Sequence, residues 1–136
     1  MREILFRGKR IDNAKWVYGN LVRYEEEYYI LEDEQVHHSL DIGGFLGDCY
    51  IREVISVGQY TGLKDKNGTK IFEGDIVRTA ENEIGYVKFL SYFYNFAVVY
   101  RLIEGIEEYD FLCNDEMLEV IDNIYDNPEL LEVDNA

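Results

Sequence analysis

The chain has few of the side chains that most chemistry depends on. Two histidines and two cysteines in 136 residues leave little for a metal to bind and few nucleophiles or general bases. His37 and His38 are adjacent, so in an extended chain they point to opposite faces and cannot share one ion. Cys49 and Cys113 lie far apart without C-x-x-C spacing, which indicates neither a zinc knuckle nor a redox dithiol. Two reduced thiols in the cytoplasm are the expected state, although spacing alone does not forbid a bond between them. Cations are scarce too. The 13 Lys and Arg face 28 Asp and Glu, a formal charge of -15, which repels phosphate backbones and anionic lipid. No direct nucleic-acid or membrane binding is expected. No apolar run approaches membrane-spanning length, and Arg2, Glu3 and Arg7 break up Ile4-Leu5-Phe6 where a secretory signal would carry its apolar region.

Aromatics and β-formers are plentiful: 12 Tyr and 7 Phe against one Trp favour strands over helices. The length suits one domain, 1–136, with possible sub-units at 1–34, an N-terminal β extension, 51–126, a barrel core, and 127–132, a terminal helix. Strands are expected at Glu3 to Arg10, Lys15 to Tyr24 with a bend at Gly19-Asn20, Tyr28 to Leu31, and Arg52 to Val57. They continue at Asp75 to Thr79, Gly85 to Leu90, Tyr92 to Leu102, Ile106 to Leu112 and Glu119 to Tyr125. Glu25-Glu26-Glu27 reads as a solvated turn, and 35–48, rich in glycine and without periodicity, as a loop. Asn127-Pro128-Glu129 has the order of a helix start, so a short helix closes the chain.

The rest is organised around Gln59-Tyr60-Thr61-Gly62-Leu63-Lys64-Asp65-Lys66-Asn67-Gly68-Thr69-Lys70-Ile71-Phe72-Glu73-Gly74-Asp75-Ile76-Val77. Asn67-Gly68 between apolar-containing segments predicts a hairpin with a primed turn, and Glu73-Gly74-Asp75 predicts a second break leading into a strand. The residues singled out as structural are Gln59, Tyr60, Thr61, Gly62, Asn67, Gly68, Gly74 and Asp75. An echo runs through the chain: Gly8, Asn13-Ala14, Val17-Tyr18 and Gly19-Asn20-Leu21-Val22-Arg23 parallel Gly62, Asn67-Gly68, Ile71-Phe72 and Gly74-Asp75-Ile76-Val77-Arg78, with Glu73 inserted. Any hairpin followed by a glycine kink has this grammar, which is the favoured reading; the sharper one is that two like units each contribute a bent β-arm.

This stretch, read as GQYTGLKDKNGTKIFEGDIV from Gly58, resembles the YopX family of phage and prophage proteins. The opening Met1-Arg2-Glu3-Ile4-Leu5-Phe6-Arg7 and the ending Glu119 to Leu131 are similar to that family as well. The resemblance implies a mainly β fold with an SH3-like or related bent-strand barrel, a phage or prophage origin, and action in the bacterial cytoplasm. It supplies no catalytic residues.

No constellation announces a reaction. The acidic clusters read as solvated surface, since among so many carboxylates a chance pair is almost guaranteed. Gly58 to Gly68 lacks the lysine and hydroxyl pattern of a phosphate loop. No catalytic, metal or cofactor residue is assigned. Tyr92, Tyr94 and Phe96 resemble a stacking platform but have only Lys88 and Arg101 nearby as cations, so core or subunit contact is the expectation and these three form the candidate interface. The function expected is a non-enzymatic protein-binding module that self-associates, with a host or phage protein as a further possible partner. The alternative is an acidic DNA mimic that inhibits a host nucleic-acid enzyme.

Overall fold

The computed structural model describes residues 3–32, 51–112 and 117–132. The loop expected at 35–48, with His37 and His38, and both cysteines lie outside the described residues. The chain divides into two compact units, Met1–Tyr60 and Thr61–Ala136. Both are mainly β, as the aromatic and β-branched composition implies.

In the first unit, β1 (Phe6–Arg10), β2 (Trp16–Tyr24), β3 (Glu27–Leu31) and the start of β4 (Ile51–Lys64) pair antiparallel. β4 pairs with β3 from Ile51 to Val54 and with β1 from Val54 to Gln59, so the four strands close into a ring. Closure satisfies edge hydrogen bonds that an open sheet would leave to water. The ring encloses Val17, Ile30 and Val54, with Phe6, Leu21 and Val57 packed against them. At the tip between β2 and β3, Glu25 and Glu26 both hold positive φ (50° and 68°), the conformation of a two-residue primed turn. β2 is not interrupted at Gly19: it pairs with β1 up to Gly19 and with β3 from Asn20. The glycine is needed because a Cβ there would sit 2.2 Å from the Leu31 carbonyl oxygen.

β4 is longer than expected. It continues through Gly58 and ends at Lys64, contributing its last four residues, Thr61 to Lys64, to the second unit. There β5 (Lys70–Phe72) is hydrogen-bonded to it. The second sheet has the order β10-β6-β7-β8-β9, all antiparallel. Its members are β6 (Asp75–Arg78), β7 (Ile84–Leu90), β8 (Asn95–Ile103), β9 (Ile106–Phe111) and β10 (Glu119–Asn123). The helix α1 (Glu129–Glu132) follows and packs beside β7. Ile71, Val77, Val87, Phe96, Val98, Leu112 and Leu118 form this unit's core.

Two local expectations are corrected. Asn67 does not hold positive φ. Gly68 alone does (82°), and its N–H donates to the Asp65 carbonyl at 3.0 Å while Asp65 N–H donates to the Thr69 carbonyl at 2.8 Å. That is the pattern of a type I turn followed by a left-handed glycine, not of a two-residue primed turn. The strand expected from Tyr92 begins only at Asn95. Phe93 N–H donates to the Leu90 carbonyl at 3.1 Å and Tyr94 has φ 53°, so Ser91 to Tyr94 is the turn that reverses the chain between β7 and β8. The need to reverse there overrides the strand preference of three consecutive aromatics.

Candidate functional site

The central motif is a backbone device. Tyr60 is buried and its N–H donates to the Leu5 carbonyl at 2.8 Å, while Gln59 pairs with Phe6. Thr61 Oγ1 donates to the Ile71 carbonyl at 2.8 Å and accepts from Leu63 N–H at 3.2 Å. Gly62 takes φ 92°. Around Gly74, also left-handed at φ 93°, the Gly74 N–H donates to the Val87 carbonyl at 2.8 Å and Ile124 N–H donates to the Gly74 carbonyl at 2.9 Å. Asp75, 2% exposed, accepts from Phe72 N–H at 2.7 Å, which fixes the tight path from β5 into β6.

Asp65 was not among the residues singled out from the sequence, and it is the motif's hub. One carboxylate oxygen accepts from Asn67 and Thr69 N–H, each at 2.9 Å, and the other from Val120 N–H at 2.9 Å. Burial works to raise its pKa, but the three backbone donors together hold it below the ordinary carboxylate range. The local signal was an aspartate opening a turn that ends on glycine. Its reach to Val120 has no local signal at all.

The exposed aromatics gather elsewhere in the second unit. The register Lys88–Ala97–Phe111 and Tyr86–Val99–Tyr109 across β7, β8 and β9 places these six side chains on one sheet face. Ala97 and Val99 are buried (0% and 2% exposed) beneath an aromatic layer. Phe93 reaches over from the turn to Phe111 (centroids 5.3 Å apart, rings 84° apart) and Tyr109 (6.1 Å), and Tyr109 meets Phe111 edge-on at 5.3 Å. Tyr92 extends the layer, edge-on to Phe93 at 5.1 Å. A groove of about 310 Å³ runs beside it, lined by Lys88, Tyr92, Phe93, Ile106, Glu107 and Tyr109 among others. Lys88 Nζ donates to Glu107 Oε2 at 2.9 Å, and this bond raises the lysine's pKa. Arg101 Nε donates to Glu108 Oε2 at 2.7 Å and holds that carboxyl low.

The candidate interface is therefore redrawn. Tyr92 and Tyr94 are indeed exposed (87% and 85%), but Phe96 is 7% exposed and belongs to the core, edge-on to Phe89 at 5.1 Å. Phe93, Tyr109 and Phe111 take its place. The alternation Glu107, Tyr109, Phe111 in the sequence was the available clue. A larger groove, about 480 Å³, has Val98, Leu112 and Leu118 in its lining. Leu112 and a further lining residue, Met117, flank 113–116, outside the described residues, and no site is assigned to this groove. Among the described residues no group of three or more His, Cys, Asp or Glu is placed to hold a metal ion. Nor, among them, is any helix long and apolar enough to cross a membrane.

Against known proteins, the family model described as YopX protein matches residues 5–132, and the chain belongs to the YopX family. The crystal structure of protein EF1440 from Enterococcus faecalis is similar at TM-score 0.55 and 22% identity, covering 96% of this chain and 99% of that one. At that identity the likeness concerns the fold alone. No curated protein matches the chain.

Proposed function

We propose that this is a non-enzymatic accessory protein of phage or prophage that works by binding proteins, copies of itself included, through the aromatic face of β7, β8 and β9. The observation that carries the reading is the layer of Phe93, Tyr109 and Phe111, with Phe93 still 48% and Phe111 44% exposed. Aromatic patches of this kind are favoured at the centre of protein contacts. On this face Glu107 is paired with Lys88, which lowers the like-charge repulsion that a chain of net charge -15 would otherwise meet there.

The DNA-mimic alternative draws on the second unit, where six Lys and Arg face 17 Asp and Glu. Mimicry needs carboxylates spaced like phosphates. Here Glu107, Glu108 and Glu119 each pair with a cation, and Asp65 and Asp75 are buried backbone acceptors. Protein binding is the better-supported reading. Light scattering on a size-exclusion column tests it with the wild type and Tyr92→Ser/Phe93→Ser. A wild-type mass above 16.0 kDa that falls to the monomer in the variant is expected, and monomers for both at all micromolar concentrations would overturn it.

A further inference from the structure

The two edges of the second sheet are finished differently. At the β10 edge the Val120 N–H is taken by the Asp65 carboxylate, and the Leu118 carbonyl just before the strand accepts from Lys66 N–H at 2.9 Å. At the other edge, β9 pairs with β8 on one side, and among the described residues no strand pairs with its outer side. Alternate N–H and C=O groups of such a strand face outward, ready to receive another.

The side chains of β9 sort by chemistry. Glu107, Tyr109 and Phe111 lie on the face that carries Lys88 and the Phe93 layer, and Ile106, Glu108 and Asp110 lie on the other. Glu108 stands opposite Arg101, but Asp110 stands opposite the apolar Val98. We infer that the β9 edge receives an extended segment of a partner protein in which basic and apolar residues alternate, added as an extra strand. Its apolar side chains continue the Tyr109–Phe111 layer and enter the adjoining groove, and its basic side chains lie beside Glu108 and Asp110. Backbone pairing supplies affinity and the alternating faces supply selectivity. The charge of this unit, six cations against 17 acids, draws in a cationic segment from a distance. A second copy is a poor occupant of this edge: antiparallel pairing of β9 with itself about Tyr109 sets Glu108 against Asp110 twice over, and Glu107 against Phe111.

The inference rests on the protein-binding reading and is tested separately from it. The probe is a short fluorescent peptide alternating Lys or Arg with Val or Tyr, and anisotropy is compared with two controls: the same residues in block order, and the alternating peptide N-methylated at every second residue. Both controls are expected to bind roughly tenfold more weakly or worse. Asp110→Lys should weaken the alternating peptide by a similar factor, roughly tenfold, with Asp110→Asn in between. Bound peptide should also slow amide exchange within Ile106 to Phe111, a change that loose charge attraction does not produce. Equal binding of block and alternating peptides, or unchanged exchange in β9, overturns the added strand. Failure here alongside an oligomer that depends on Phe93 overturns this inference alone; failure of both removes the protein-binding reading as well.

Discussion

Two hairpins in this chain share one order of glycines, turn residues and apolar residues and are built differently. Gly8 to Arg23, in the first unit, closes on Ala14 at φ 60° and then runs as one unbroken strand through Gly19. Gly62 to Arg78, in the second, closes on Gly68 at φ 82° and then breaks at Gly74, φ 93°, with the strand ending at Phe72 and resuming at Asp75. One inserted residue, Glu73, accompanies the change. The shared glycines thus answer different needs: Gly74 supplies a backbone angle, whereas Gly19 supplies room. The loops differ as well. The first is held by Lys15 N–H to Asn13 Oδ1 at 3.0 Å, the second by a carboxylate with three backbone donors.

The largest effect is expected where room is the issue. In Gly19→Ala the new Cβ would meet the Leu31 carbonyl oxygen at 2.2 Å and its carbon at 2.9 Å, both backbone atoms that move only if β2 and β3 part. A loss of about 3 kcal/mol is expected in urea unfolding. A neutral result would show that the backbone at Gly19 can shift away from Leu31 at little cost, so that room is not what the glycine supplies. The next largest is Gly74→Ala, at about 2 kcal/mol, because positive φ is costly for any residue with a Cβ. Its Cβ also meets Tyr125 Cε2 at 2.8 Å, but that ring is 38% exposed and can swing aside. Tyr125→Ser in the same chain should therefore recover only the smaller part of the loss; full recovery would mean that the angle matters little.

Asp65 sharpens the contrast between the loops. Asp65→Ala strands three N–H groups and is expected to cost about 1 to 2 kcal/mol at neutral pH. Because the folded-state pKa is depressed, the contribution is present above the unfolded pKa of about 3.9 and is lost as pH falls through the lower folded value. The gap in stability between wild type and Asp65→Ala should accordingly narrow below about pH 4, and a gap independent of pH would refute the carboxylate's role. The counterpart loop has no such hub. Asp12 pairs with Arg10 at the surface, and Asp12→Ala is expected to leave the melting temperature unchanged.

How far these features are legible depends on how local they are. Hairpin tips announce themselves through Asn, Gly and short acidic runs, and the strands, the terminal helix and the family follow from neighbouring residues. Gly74's angle was readable because Glu73 and Asp75 flank it. Gly19's close approach to Leu31, Asp65's reach to Val120 and the gathering of Phe93, Tyr109 and Phe111 were not, since each depends on a register between strands that no single segment specifies. Phe96 shows the same limit from the other side: nothing local separates a core phenylalanine from the exposed tyrosines before it.

The smallest predicted effects test whether the two loops share a conformational requirement at corresponding positions. Ala14 and Gly68 both hold positive φ, and Gly68 has nothing within 4 Å of a built Cβ, so packing does not enter at Gly68. Gly68→Ala should then cost only the left-handed penalty of a Cβ, about 1 kcal/mol. Ala14→Gly removes the same penalty but frees the unfolded chain, which offsets part of the gain, so a stabilisation of about 0.5 kcal/mol remains. The two substitutions in one chain should add, because each acts through its own backbone angle in a separate unit. Matched thermal melts of the singles and the double decide it. If Ala14→Gly destabilises, Ala14 makes a contact that its angle alone does not reveal, and the two loops are alike only in spelling.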